Sequence, residues 1–166
     1  MQPQTVLHTI PPVYDQNSRI LILGTMPSPK SRETGFYYGH PRNRFWPVLA
    51  AVLEAPVPRD IQEKKALVQK YRIALWDVLA SCEIAGAQDA SIRNPQPNPI
   101  ETLLSGSEIR AVFTTGQTAY RLYQKYCLDK TGIPAIPLPS TSPANAAVSL
   151  EELICRYQQI LPFLKK

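Results

Sequence analysis

Short unbroken apolar runs alternate along this chain with segments whose apolar residues recur three and four positions apart. That alternation restricts the fold more than any other feature. Arg19-Ile-Leu-Ile-Leu-Gly24 holds four aliphatic residues in a row and closes on glycine. A run with no polar alternation marks a strand covered on both faces, as in a parallel sheet. Tyr71-Arg-Ile-Ala-Leu-Trp-Asp-Val-Leu79 holds a second strand and the start of a turn, Ala111-Val-Phe-Thr-Thr115 a third, and Ile133-Pro-Ala-Ile-Pro-Leu138 a fourth. The prolines of the fourth place it near an edge.

Helices fall between these runs. Phe45, Val48, Leu49, Val52 and Leu53 share one helical face, with Asn43 a suitable N-cap. Asp60-Ile-Gln-Glu63 reads as a capping box opening a helix to about Lys70, and Ser149-Leu-Glu-Glu152 as a second one. Asn98-Pro99-Ile100-Glu101 predicts a short helix to Gly106, with Asn98 as its cap. Ala119, Leu122, Tyr123, Tyr126 and Cys127 mark another helix, and Leu153, Ile154, Tyr157, Ile160, Leu161 and Leu164 a last one. Ser81 to Pro97 has few apolar anchors and reads as a loop. Met1 to Asn17 reads as a loosely ordered leader to a single domain over 1–166.

Strands alternating with helices imply parallel β-α units in a three-layer α/β sandwich. Ligands in such sheets bind outside the carboxyl ends of the strands. The loops from Gly24, Asp77, Gly116 and Pro139 onward are therefore the ones to watch.

Composition narrows the class. The 166 residues carry 18 Lys+Arg against 13 Asp+Glu, a formal +5, which permits an anionic partner without demanding one. No apolar run approaches the roughly 18 residues of a membrane span, and no signal-peptide pattern opens the chain. Cys82, Cys127 and Cys155 lie far apart, and His8 and His40 are the sole histidines. That set argues against a disulfide framework and a metal site. The expectation is an intracellular protein with no cofactor and no metal.

Three loops carry the chemistry. Gly24-Thr-Met-Pro-Ser-Pro-Lys-Ser31 is a near miss to the phosphate loop, with Pro29 where glycine should be. Proline supplies neither the turn nor the N–H such a loop needs, so a nucleotide triphosphatase is disfavoured. Gly35-Phe-Tyr-Tyr-Gly-His-Pro-Arg-Asn-Arg-Phe-Trp46 packs aromatics, cations and an amide together, which suits base stacking with phosphate contacts nearby. Phe45 and Trp46 read as core anchors, since they begin the helix. His40 is open between a phosphate contact and loop packing, and Asn43 between a functional amide and a cap. Leu138-Pro-Ser-Thr-Ser-Pro-Ala-Asn145 follows the fourth strand, and is either a plain turn or a backbone brought close to phosphate.

In combination these motifs are specific. Gly24-x-x-Pro27, Pro41-x-Asn43-Arg-Phe-Trp46 and Leu138-Pro-Ser-x-Ser142 resemble the uracil-DNA glycosylase superfamily. The full set is most similar to its hypoxanthine-DNA (deoxyinosine) glycosylases, which Leu75-Trp-Asp-Val-Leu-Ala-Ser-Cys82 also resembles. The chain departs from the wider superfamily at Met26 and Ser140, where those motifs have asparagine. The resemblance implies an α/β/α sandwich with a four-stranded, mainly parallel sheet. It implies a monofunctional DNA glycosylase acting on a flipped-out deaminated base, with DNA as partner, a monomeric state and a cytoplasmic, nucleoid-associated place. It implies Asn43 as the catalytic residue, and Gly24, Met26, Pro27, Tyr38 and Ser140 as the base pocket. Ser28, Lys30, His40, Arg42, Ser142, Pro143, Ala144 and Asn145 would meet DNA. A uracil or mismatch glycosylase is the rival within the class. A catalytically silent DNA-binding relative is the rival outside it.

Overall fold

Four parallel strands form the central sheet of the computed structural model, which describes residues 4–85 and 91–164. They are β2 (Ile20–Gly24), β3 (Ile73–Asp77), β6 (Ala111–Thr115) and β7 (Ala135–Leu138), in the order β3-β2-β6-β7. Ile20, Leu21, Ile22 and Leu23 have no exposed surface, as an unbroken apolar run requires. Full burial of each such side chain contributes about 1.5–3 kcal/mol. Register is fixed by Ile20–Gly24 lying beside Ile73–Asp77 on one side and Ile20–Leu23 beside Ala111–Thr114 on the other.

Alternate strand residues supply two cores. Ile20, Ile22, Ile73, Leu75 and Phe113 pack with α2 (Phe45–Leu53), α3 (Ile61–Lys70) and α7 (Leu150–Tyr157). Leu21, Leu23, Ala74 and Val112 pack with Ile100 and Leu103 of α4 (Ile100–Ser105) and Ala119 and Tyr123 of α5 (Gln117–Tyr126). The result is the expected three-layer α/β/α sandwich. Asp60 and Ser149 cap α3 and α7, accepting from the N–H groups of Glu63 and Glu152. Pro137 sits on β7, which pairs on one side alone, so its missing N–H breaks no ladder.

Several expectations are corrected. Residues 4–17 are not a loose leader. Gln4–Leu7 form β1, Val6 and Ile10 are buried, and Val13 bridges Leu75 with backbone bonds of 2.9 and 2.8 Å. Residues 1–3 lie outside the described residues. The expected loop over Ser81 to Pro97 instead holds β4 (Leu79–Ile84) and β5 (Arg93–Pro97), which join β1 in an antiparallel sheet ordered β1-β4-β5. Its apolar residues are sparse because just one face meets the core, through Val6, Leu79, Cys82 and Ile84. Residues 86–90 of that stretch lie outside the described residues.

The long loop after β2 contains α1 (Pro29–Thr34), with Pro29 at a helix start that tolerates it. Asn98 does not cap α4, because its amide donates to the carbonyls of Asp77 (2.9 Å) and Leu79 (3.1 Å), buried groups that need a donor. The last helix is broken. A 3-10 turn at Gln158–Ile160 separates α7 from α8 (Leu161–Leu164), since Pro162 has no N–H to continue the ladder. The remaining helix, α6 (Leu128–Thr131), follows α5 directly.

Candidate active site

Gly24 ends β2 where three polar side chains converge. A Cβ there would lie 2.5 Å from Asp77 Oδ1, 3.5 Å from the Tyr38 hydroxyl and 3.6 Å from Thr115 Oγ1. Any side chain at Gly24 would displace the Asp77 carboxylate, and the site sits at the carboxyl ends of β2, β3 and β6. Tyr38 reaches it from a left-handed backbone (φ 53°), uncommon for a bulky residue and held by its surroundings. Its ring stacks on Phe45 at 3.8 Å and 11°, and its hydroxyl lies 3.2 Å from Thr115 Oγ1, which donates to Leu23 O at 3.4 Å. Burial, then the Asp77 charge, holds the Tyr38 phenol well above its ordinary pKa, against the smaller pull of Thr115. It is a neutral hydroxyl at physiological pH.

Asn43 lies on the approach to α2. Its Oδ1 accepts from the Phe45 N–H at 2.9 Å and the Thr141 hydroxyl at 2.8 Å. A backbone N–H can meet the oxygen end alone, so the amide orientation is settled. Asn43 is not the N-cap expected of it: that position is Arg44, which makes no side-chain cap, and Asn43 Oδ1 instead closes an Asx-type turn on the first helical N–H. Asn43 Nδ2 meets no acceptor among the described residues and stands free as a donor.

The loop after β7 is closed on itself. Ser140 Oγ accepts from Ser142 N–H at 3.1 Å, Ser142 Oγ from Ala144 N–H at 3.2 Å, and Asn145 Nδ2 donates to Ser140 O at 2.9 Å. Tyr157 donates to Pro139 O at 2.6 Å. Arg44 clamps the far end, donating to Val148 O at 2.6 Å and Asn145 O at 3.0 Å, while its N–H meets Thr141 O at 3.1 Å. Both serine hydroxyls accept from backbone and keep their protons for an outside acceptor. Gly116, at φ 94°, brings β6 against Ser140, whose Cβ would lie 3.4 Å from a Cβ there.

Contacts thus run in a ring from Gly24 through Tyr38, Phe45, Asn43, Thr141, Ser140 and Gly116 to Thr115. Gly24, Tyr38, Asn43 and Ser140 all lie on this ring. Met26 is half-buried against the core of the β4 side, and Pro27 is buried. Ser28 accepts from Ser31 N–H at 3.1 Å and starts α1, where Lys30 pairs with Glu33 at 3.6 Å. His40 Nδ1 accepts from Arg42 N–H at 3.0 Å, which gives it a loop-packing bond, and Arg42 is exposed. Pro143 to Asn145 form a 3-10 turn at the loop's outer edge. A separate cavity of about 530 Å³, lined by Thr34, Phe36, Gly39 and the start of α3, includes none of the ring.

Sequence reasoning missed Asp77, Thr115, Thr141 and His8. Asp77 ends an apolar strand and opens a loop marked as one to watch, a signal that was present. His8 carried no signal, because its partner Asp77 is 69 positions away.

A parallel sheet with polar loops gathered at its carboxyl ends defines an α/β protein that binds its ligand at those ends. Residues 11–161 match the model of the uracil DNA glycosylase superfamily, and the chain belongs to that superfamily. It is 34% identical over 141 residues to a protein of Methanosarcina acetivorans named hypoxanthine DNA glycosylase, covering 84% of this chain and 88% of that one. It is 34% identical over 94 residues to a protein of the same name from Methanosarcina barkeri, covering 56% of this chain and 60% of that one. A solution NMR structure from Methanosarcina acetivorans, provisionally assigned as a uracil DNA glycosylase, superposes with a TM-score of 0.79 at 28% identity. That superposition covers 95% of this chain and 99% of the other. Among the described residues, no helix is long and apolar enough to cross a membrane and no three His, Cys, Asp or Glu gather as a metal site.

Proposed function

We propose that this protein is a monofunctional hypoxanthine DNA glycosylase, hydrolysing the N-glycosidic bond of a flipped-out deoxyinosine. The observation that carries this reading is the Asn43 amide, locked by Oδ1 so that Nδ2 is free. Cleavage of a deoxyribose–base bond passes through an oxocarbenium-like state as charge grows on the departing base. A donor fixed before the reaction stabilises that charge without reorganising. Asn43 Nδ2 is that donor. Met26 offers no hydrogen to base or water, so the burden falls on the leaving group.

Asp77 bears on the choice of hypoxanthine over adenine, while guanine shares the same lactam edge. The hypoxanthine lactam edge presents an N–H donor and a carbonyl acceptor. Asp77 Oδ1 would accept the first, and it would repel the N1 lone pair that ordinary adenine has there. Uracil carries a lactam edge too, which keeps a uracil or mismatch glycosylase as the second reading. Tyr38, held by its stack on Phe45, would stack on the extruded base with the surface it leaves exposed. Extrusion costs a few kcal/mol, least for a mispaired base. The Ser140 and Ser142 hydroxyl protons would bind phosphate, with Ser28, Lys30, His40 and Arg42 along the flanking backbone. Pro143, Ala144 and Asn145 would press into the minor groove. The reading takes DNA as the partner and, from the family resemblance alone, a monomer working in the cytoplasm at the nucleoid. No cofactor enters, and Lys30, paired with Glu33, is not a desolvated amine for lyase chemistry.

Oligonucleotides with one inosine, one uracil or ordinary bases, treated with enzyme and then hot alkali, test the reading. Strand cutting at inosine alone, or faster there than at uracil, is expected. Faster cutting at uracil would move the assignment to the second reading, and no cutting at either would leave a silent DNA-binding relative.

A further inference from the structure

The segment before β2 delivers a buried imidazole to the edge of the site. His8 is tied to β4 by its N–H, 2.8 Å from Ala80 O. Its side chain is 2% exposed, and its Nε2 lies 2.8 Å from Oδ2 of Asp77, itself 6% exposed. Downstream, the Tyr37 hydroxyl fastens the segment at Ile10 O (3.2 Å) and Pro11 O (2.9 Å), with the Tyr37 ring 6.0 Å from that of His8. The tether is the hydrogen bond between Nε2 and Oδ2, and Oδ2 can accept it only from a hydrogen on Nε2.

Charge burial alone would explain this pair if both Asp77 oxygens were engaged. They are not. Oδ1 meets no donor among the described residues, and it is the atom closest to Gly24 at the mouth shared with Tyr38 and Thr115. One oxygen is held and the other presented. A carboxylate tethered at neither end turns freely about its last torsion, which is broad and two-fold. Tethering at Oδ2 removes that freedom and leaves Oδ1 as a fixed acceptor.

We propose that His8 is a positioning residue of the base pocket, holding Asp77 by Oδ2 so that Oδ1 is presented to the N–H of a lactam base. The inference rests on the reading of Asp77 given above. It makes the N-terminal segment, and not just the three motif loops, part of base selection. Loss of the tether lets the carboxylate swing, so the inosine rate falls while phosphate contacts, and with them DNA affinity, persist.

The test is single-turnover cleavage of inosine DNA, with DNA affinity and thermal melting, for wild type, His8→Ala, His8→Gln, Asp77→Ala and the double variant His8→Ala/Asp77→Ala. His8→Ala is expected to lower the rate about tenfold or more, the scale of a misplaced reacting geometry, with affinity within about twofold. His8→Gln places an amide N–H near the position of Nε2 and is expected to restore most of the rate. In the Asp77→Ala background, His8→Ala is expected to have no further effect, because its influence passes through that carboxylate. A wild-type rate in His8→Ala overturns the inference and leaves the glycosylase reading standing, as does a full His8 effect without Asp77. An inactive wild type on both inosine and uracil overturns the two together. If His8→Ala fails to fold, the ring ¹⁵N shifts of the wild-type protein decide, since an Nδ1–H tautomer with bare Nε2 is incompatible with the tether.

Discussion

Asn43 and Thr141, 98 positions apart, are joined by a 2.8 Å hydrogen bond from the threonine hydroxyl to Asn43 Oδ1. Thr141 is 1% exposed, so the bond is shielded and its loss would leave a buried hydroxyl unpaired. It couples the loop before α2 to the loop after β7, and it fixes which end of the Asn43 amide faces the site. Turn acceptor and donor are thus two atoms of one side chain, and substitutions can separate them.

Asn43→Ala removes both. Its single-turnover rate on inosine DNA should fall roughly 10²-fold or more, with a stability loss of about 0.5–2 kcal/mol. Asn43→Asp keeps an oxygen for Phe45 and Thr141 and loses the donor, so melting should stay near wild type while the rate collapses. A near-native rate in Asn43→Asp would leave Asn43 as a turn residue and nothing more.

Gly24→Ala should damage the pocket more than the fold. The new Cβ would stand 2.5 Å from Asp77 Oδ1, inside contact distance, and must push the carboxylate aside. Overpacking of this kind costs about 1–3 kcal/mol, to be read by urea denaturation, and the inosine rate should fall at least as far as in Asp77→Ala. An active, fully stable Gly24→Ala would show that the convergence at this strand end is not needed.

Arg42 and Arg44 should differ although both flank Asn43. Arg42 is exposed, and Arg42→Ala should reduce the slope of log affinity against log salt by about one. Arg44 is bound to Val148 O and Asn145 O, so Arg44→Ala should leave the slope unchanged and lower stability by about 1–3 kcal/mol. Equal salt slopes for the two variants would contradict this division.

Alkali should weaken the fold. Burial pushes the Cys127 thiol up from 9.0 to about 11, with the Glu101 charge adding and Lys130 opposing. Burial also raises the Tyr123 and Tyr157 phenols above 10.0. An acid whose folded pKa is raised contributes its full stability below the unfolded value and loses it as pH climbs through the folded one. Urea midpoints should therefore hold from neutral pH to about pH 9 and then decline. A flat midpoint through pH 11 would refute the shifts.

The sheet and its helices were legible because their signals are local. Four aliphatic residues before Gly24 can be satisfied only by burial on two faces, and Ala111–Thr115 and Gln117–Tyr126 fall where spacing places them. The antiparallel β1-β4-β5 sheet was not legible. β5 (Arg93–Pro97) has no aliphatic residue, β1 buries Val6 alone while Leu7 is exposed, and β1 finds β4 more than 70 residues on. No local pattern in Gln4–Leu7 names that partner.

The site divides the same way. Sequence by itself determined which loops leave the strand ends and which residue types they carry, Asn43, Tyr38 and Ser140 among them, because loop chemistry is written in consecutive residues. Tertiary structure alone decided that Asn43 turns Oδ1 inward to Thr141, that Arg44 clamps the loop after β7, and that His8 meets Asp77. Each is a pairing between distant positions. Desolvation drives it: a polar group carried inside must find a partner among whatever side chains the packing of the sheet brings within 3 Å or so, and the chain's local order does not encode that choice.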